Sequence, residues 1–564
     1  MVPDPLRFQR FCIRLLGVDI EVWTQVYNPL GTFWLSAVVA ALPIVFFFVT
    51  LAVLRWQGYL AGLGTIALTV IIALTVYRMP AGLALRATAN GMAYGLWPIS
   101  WIILNAAFLY KLSVRSGQFQ IMRASVVSIT EDQRLQVILI GFAFGAFLEG
   151  SAGFGAPVAI TAAILAALEL NPLYAAGLCL IANTAPVAFG ALGIPILVAG
   201  KTAGVDPTLV GQMAGRQLPL LSLFVPFFLV WLMDGFKGVR QTWPAILVAG
   251  GAFPVTQFLS ANYIGPQLPD ITSALVCLVA TTAFLKLWHP AESFAFAAAK
   301  STGASRHSPS GAEVVARAGY TTGQILKAWS PFKTLVAASG SLNFTVLSFK
   351  IPGLHEVVIR VAPVVAKSTP YAAIYTVDLL SATGTGILIS ALLSMVVLGI
   401  SVRDGVGVFK DTLIDLTKPI FTIACVLGLA FIANYSGISS TLALALASTG
   451  QLFPFFAPML GWLGVFLTGS DTSGNALFSS LQSITAHQIQ VSDILMVAAN
   501  STGGVTGKMI SPQSIAVACA AVGLVGRESE LLRFTVKSSL LFLLIICVVT
   551  YLQAYYLTWM IPSS

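Results

Sequence analysis

Charge is what this sequence lacks most. Lys, Arg, Asp and Glu make up 9% of its 564 residues, against about 25% in ordinary soluble domains, which excludes a solvated globular protein. Histidine is nearly as scarce. His289, His307, His355 and His487 show no metal-ligand spacing, and the HExxH motif of an intramembrane metallopeptidase is missing. Six cysteines (Cys12, Cys179, Cys277, Cys425, Cys519 and Cys547) stand far apart without a CxxC pair. That spacing excludes a disulfide framework or a zinc site and leaves buried thiols. GGVTGKM, ending at Met509, approaches a phosphate loop, but Thr502 stands where Gly is needed and Met509 where Ser or Thr is needed, so nucleotide binding is excluded. No nucleophile–base set is evident either. The sequence therefore implies no cofactor, no metal and no enzyme. Its first thirty residues carry Arg7, Arg10 and Arg14 without an apolar core followed by a cleavage site, so no removable signal peptide is expected.

What the sequence does have is grease. Hydrophobic residues reach 57%, and apolar runs of membrane-spanning length, roughly 17–25 residues, recur from residue 33 to residue 560. The chain reads as an all-α polytopic protein of a bacterial inner membrane, in contact with lipid. Its net charge of +9 lies on scattered connecting segments, with Lys111, Arg115, Arg123 and Arg134 in one and Arg403, Lys410 and Lys418 in another. These are read as topology signals, not as a nucleic-acid surface. Spans are expected near 33–54, 59–77, 93–112, 218–233, 244–260, 271–288, 379–400, 419–434, 440–468 and 538–560, with a weak one near 334–349. Residues 123–134 read as a surface segment. Counting interrupted stretches, 12–14 crossings result. The division expected is an N-terminal half (1–288, repeat core about 135–199), a polar loop (289–333) and a C-terminal half (334–564, repeat core about 455–526).

Those two cores repeat one polar phrase. FLEGSAGFGAP (Phe147–Pro157) aligns with FLTGSDTSGNA (Phe466–Ala476) at an offset of 319, and LIANTAPVAFGALGIP (Leu180–Pro195) aligns with VAANSTGGVTGKMISP (Val497–Pro512) at 317. The second alignment stacks Asn183 on Asn500, Thr184 on Ser501 and Gly190 on Gly507. Small residues four apart, as in GFAFGAF, are explained by close helix packing. Carboxylates and Asn–Thr or Asn–Ser pairs are not. Irregular backbone at bilayer depth survives where protein or a water-filled cavity satisfies it, and transporters build their sites from such paired interrupted helices. Each half-helix start carries a partial charge of about +0.5, so two of them balance roughly one negative charge and suit a small monoanion. The candidate substrate-binding residues are Ser151, Gly153, Gly155, Asn183, Thr184, Ser470, Thr472, Ser473, Asn475, Asn500, Ser501 and Lys508. An intramembrane carboxylate costs at least about 2.5–3.5 kcal/mol, so Glu149 and Asp471 are candidates for proton carriage, against an aqueous edge or a structural ion pair. Lys508 either attracts a carboxylate substrate or pairs with Asp471. Asp378, before another small-residue stretch, either faces the same cavity or ends a helix.

The phrases LEGSAGFGAPVAITAAIL, LYAAGLCLIANTAPVAFGALGIPILVAG, GWLGVFLTGSDTSGNALF and GGVTGKMISPQSIAVACAAVG resemble the bacterial lactate permease family, which includes the glycolate permeases. The likeness runs essentially the length of the chain, including NYIGPQLPDI. Ser151 and Gly474 depart from the Ala and Ser usual there, which weakens a hydroxyl role for Ser151. The resemblance implies proton-coupled uptake of L-lactate, D-lactate and glycolate. It also implies two inverted repeats with paired re-entrant hairpins, several relatives of that kind moving substrate by an elevator-like shift. Sodium coupling, or cation/proton antiport, remains the alternative.

Overall fold

A computed structural model describes residues 22–563, except 55, 152, 154–155, 296–320, 322, 325–326, 331–345, 366 and 379–382. Eight helices among the described residues are long and apolar enough to cross a bilayer, and one further pair, bent by 65°, is a broken span. The 57-residue helix Pro207–Tyr263 is itself a hairpin, because Asp234 and Gly235 (φ +60°) leave the helical conformation. Its arms run antiparallel, with Ser222 donating to Gln257 at 2.9 Å and Arg216 to Asn262 at 2.8 Å. The two spans expected near 218–233 and 244–260 are those arms.

The helical order repeats. Helices beginning at Ala81, Gln118, Gln133, Pro172 and Pro207 recur as helices beginning at Val402, Ile438, Phe453, Asp493 and Glu528, an offset of 320 or 321 residues. Corresponding helices cross the molecule in opposite senses. In one pair Tyr94 stacks on Phe431 while Lys111 pairs with Asp415. In another Gln217 donates to Gln553 at 2.7 Å while Phe228 meets Phe542. In both pairs later residues of one helix meet earlier residues of the other, so the second repeat is inverted relative to the first.

Within each repeat a helical hairpin is followed by a broken helix. The first hairpin comprises Gln133–Ser151 and Ala156–Ala167, and the first broken helix Pro172–Ala182 and Gly190–Ala203. The second hairpin is Phe453–Thr468 with Asp471–Gln488, followed by Asp493–Lys508 and Pro512–Ala521. The sequence writes these breaks as helix starts. Asn171 before Pro172, Asp206 before Pro207 and Ser511 before Pro512 each accept a backbone N–H with their side chains, combining an N-cap with a proline whose missing N–H costs nothing there. Ser470 caps Asp471–Gln488 in the same way, and Gly469 (φ +71°) turns the hairpin tip. GGVTG has a packing task as well, since a Cβ on Gly503 or Gly507 would strike the backbone of Pro458 or Trp462. Bare glycine lets Asp493–Lys508 lie flat on the hairpin arm.

Three expectations change. Val346–Lys350 forms no part of a span; it is a strand paired antiparallel with Ile374–Asp378, and its apolar Leu347 and Phe349 alternate with polar neighbours. With a second small sheet made by Trp23–Thr24, Val358–Arg360 and Thr369–Pro370, it adds β-structure to an otherwise helical protein. Asp378 ends the strand Ile374–Asp378, and its side chain lies outside the described residues. Residues 123–134 are a surface segment only in part: Ser128 and Glu131 are exposed, whereas one face and the end of the segment turn inward. Met122 and Val126 are buried, and the Arg134 side chain is fully so. Its guanidinium holds Asp132 at 2.7 Å, Asp234 at 2.8 Å and Gln241 at 2.7 Å, and donates to the carbonyl of Glu292. The start of the expected polar loop is therefore fastened to the base of the first hairpin.

Candidate functional site

The hairpin tips and helix breaks of both repeats converge on a cavity of about 70 Å³ lined by Glu149, Gly153, Ser470, Asp471, Thr472 and Lys508, among others. Its strongest contact crosses the repeats: Lys508 Nζ donates to Glu149 Oε1 at 2.5 Å. Asn183 Nδ2 donates to the other oxygen, Oε2, at 3.1 Å. Both partners are buried, the side chains of Lys508 and Glu149 being 9% and 3% exposed. Gly190 makes room for this pair, because a Cβ there would lie 2.9 Å from Glu149 Oε1. Sequence reasoning allowed Lys508 a pairing with Asp471; the structure gives it Glu149.

Asp471 is engaged elsewhere. Its Oδ2 accepts from Ser501 at 2.6 Å and from Asn475 at 3.2 Å. Asn475 Nδ2 also reaches the carbonyl of Pro195 at 3.1 Å, tying the second hairpin to the first broken helix. Asn500 donates to Asn475 Oδ1 at 2.9 Å and accepts from Gln482 at 3.2 Å. Asn475, Asn500 and Ser501 thus form a buried polar weave around Asp471. Asp471 Oδ1 is left without a partner among the described residues, as are Asn183 Oδ1 and Thr184 Oγ1. Buried polar atoms in that condition mark where a ligand or water belongs.

The remaining candidates divide. Thr472 and Ser470 line the cavity, Ser473 lines the wider one described next, and Gly153 (φ +58°) turns the first tip. Ser151 donates its hydroxyl to Phe147 O at 2.7 Å within its own helix, a local bond, and it is not among the described residues lining the cavity. Gly155 lies outside the described residues. One residue was missed: Asp270, in the first turn of Pro269–Leu285, is wholly buried, neither oxygen has a partner among the described residues, and it abuts Gly150, next to Glu149. Its signal was present in LPDI, a carboxylate inside an apolar run just after a helix-starting proline.

Ser470 and Gln513 also line a second cavity of about 990 Å³, which reaches Lys418 and Glu528. At the far ends of the same helices, a third cavity of about 950 Å³ is lined by Lys201, Arg360, His487 and Asp493. The segments Gly190–Ala203 and Asp471–Gln488 begin at the site and end at this third cavity, so they stand between the two large openings.

An apolar, multi-pass bundle of inverted repeats, with a small charged site between two large cavities, defines a membrane transport protein. The L-lactate permease family matches residues 36–557, and the chain belongs to that family. It is 59% identical to the glycolate permease GlcA of Escherichia coli K12 over 559 residues, covering 96% of this chain and 100% of that protein. To the L-lactate permease of Salmonella typhimurium it is 57% identical over 558 residues, again 96% and 100%. To that of Bacillus subtilis it is 51% identical over 572 residues, with the same coverage. Among solved structures, the YdaH transporter of Alcanivorax borkumensis aligns with 90% of this chain and 100% of that one, at 12% identity and a TM-score of 0.49. The protein is a transporter of the bacterial inner membrane, not an enzyme.

Proposed function

We propose that the protein imports small 2-hydroxymonocarboxylates, L-lactate, D-lactate and glycolate, by proton symport. The observation that carries this reading is the Lys508–Glu149 pair bridging the repeats inside the cavity. Lys508 is the only cation among the described residues lining that cavity, and Glu149 already holds it. A substrate carboxylate must displace Glu149, and stripping a buried carboxylate of its partner costs about 3–5 kcal/mol. A proton on Glu149 removes that cost by neutralising the group. Anion and proton therefore load together: before loading, the pair holds one plus and one minus, and after loading Lys508 faces the substrate anion. The unpartnered atoms of Asn183 and Thr184, with Thr472 and Ser470, supply partners for the 2-hydroxyl. Asp471, committed to Ser501 and Asn475, fastens the second tip.

Energetics support the coupling. An anion entering an inside-negative cell works against about 2.3 kcal/mol per 100 mV, and one accompanying proton makes the step electroneutral. The two-cavity arrangement supports alternating access: the site shares Ser470 and Gln513 with the Lys418 cavity and no lining residue with the Lys201 cavity. The test is uptake of labelled L-lactate into proteoliposomes under an imposed inward proton gradient, then under a sodium gradient. Accumulation with protons alone is expected. Accumulation with sodium alone would replace the coupling ion, and downhill flux only would make the protein a channel. A Lys508→Ala protein should lose lactate affinity; normal affinity would remove Lys508 as anchor.

A further inference from the structure

The symport reading leaves one buried acid unused. Asp270 is fully inaccessible, and neither carboxyl oxygen meets a donor or acceptor among the described residues. An ionised carboxylate left without a partner in such a place is heavily penalised, and a neutral one still lacks an acceptor for its O–H. The first turn of a helix favours an acid by only about 0.3–1 kcal/mol, which does not offset the burial of an unpartnered carboxylate, so the helix start alone does not account for Asp270. Its position does. Asp270 opens the helix Pro269–Leu285, which packs against the end of the first hairpin arm, and a Cβ on Gly150 would lie 2.7 Å from the Asp270 Cβ. No side chain at position 150 stands between that acid and the arm carrying Glu149. The charged groups that act on Asp270 are Glu149 and Lys508, the ion pair that bridges the repeats.

We propose that Asp270 is a second proton-binding carboxyl of the transport cycle, the group that hands Glu149 its proton when a substrate carboxylate claims Lys508. The Asp270 O–H breaks, its proton joins a Glu149 carboxylate oxygen, and the carboxylate left on Asp270 takes up one proton from the medium on the side of entry when the cycle exposes it. One external proton is consumed per anion, as in the symport reading on which this inference rests. Holding the proton beside the site, and not in the cavity itself, lets substrate and proton arrive without competing for the same space.

The test uses the full-length protein in proteoliposomes. In Asp270→Asn the initial rate of uptake driven by an inward proton gradient should fall about tenfold or more, the scale of a lost proton-transfer group, while equilibrium exchange of labelled for unlabelled L-lactate changes less than about twofold. Asp270→Glu, which keeps an ionisable group, should restore driven uptake with a displaced pH profile. In a Glu149→Gln background, where no proton needs delivering, adding Asp270→Asn should change exchange no further. Wild-type driven uptake in Asp270→Asn would overturn the proposal, as would a loss that Asp270→Glu does not rescue. Should the wild-type protein itself fail to accumulate lactate on a proton gradient, the symport reading fails instead, so the two failures are distinct.

Discussion

Replacing Glu149 by Gln removes the acid's charge from the ion pair and keeps its shape. In the wild-type site Lys508 lies 2.5 Å from Glu149 and must be released before it can hold a substrate. With both side chains buried, the cost of that release is of the order of 3–5 kcal/mol, equivalent to about 10²–4 × 10³ in affinity at 1.4 kcal/mol per decade. A proton on Glu149 lifts the cost. The substituted amide carries no charge and cannot titrate. The Glu149→Gln variant should therefore bind lactate with an affinity independent of pH and up to about 10²–4 × 10³ tighter than wild type that holds the ion pair. Titration calorimetry on purified protein between about pH 5.5 and 8.5 reads this directly. Proteoliposomes of the variant should equilibrate lactate but fail to concentrate it. The same pH slope in wild type and Glu149→Gln would refute the reasoning, as would accumulation against a gradient by the variant.

Asp471→Asn tests the other carboxylate. It should keep proton-driven accumulation while loosening the second tip, and loss of accumulation there with retention in Glu149→Gln would transfer the proton role to Asp471. Arg134→Ala leaves Asp132 buried without its cation, which should cost about 3–5 kcal/mol. The measurement is a lower melting temperature in detergent, with lactate exchange per folded molecule unchanged. Arg134→Lys should not rescue it, because an ammonium cannot span Asp132, Asp234 and Gln241 as the guanidinium fork does. Ser151→Ala should alter lactate uptake less than about twofold, since the hydroxyl is bonded to Phe147 in its own helix; a larger loss would return Ser151 to the site.

The architecture was legible because its causes are local. A duplicated phrase of glycine, serine and asparagine inside apolar sequence marks a helix that stops at bilayer depth, and caps such as Ser470 and Ser511 are written at the stops. What escaped depends on contacts between distant segments. Residues 346–350 are apolar enough to suggest membrane, and the partner that makes them a strand lies at 374–378. Arg134 sits among basic residues typical of a cytoplasmic loop, and its burial follows from Asp234 and Gln241, a hundred residues on.

The same reasoning explains why the sequence pointed to the two tips but not to their wiring. Hairpin and helix break recur in each repeat, so the repeated phrases alone located Glu149 and Asp471 as the polar points of two tips. Inversion then sets the two tips facing one another, and the partner of each acid comes from a different place. Lys508 stands where the first repeat has Ala191, so symmetry puts one cation into a site with two tip carboxylates. Proximity along the sequence favours Asp471, 37 residues from Lys508, whereas the fold joins Lys508 to Glu149 across 359. Asp471 is instead held by hydrogen bonds from its own repeat. The two acids are not equivalent in the repeat, Glu149 standing opposite Thr468 and Asp471 opposite Ala152, and their chemistry differs: Asp471 is fixed by neutral donors, and Glu149 is held by a charge that a substrate anion can take. An asymmetric cation placed between symmetric tips converts a duplicated scaffold into a site able to exchange a carboxylate of its own for one from solution.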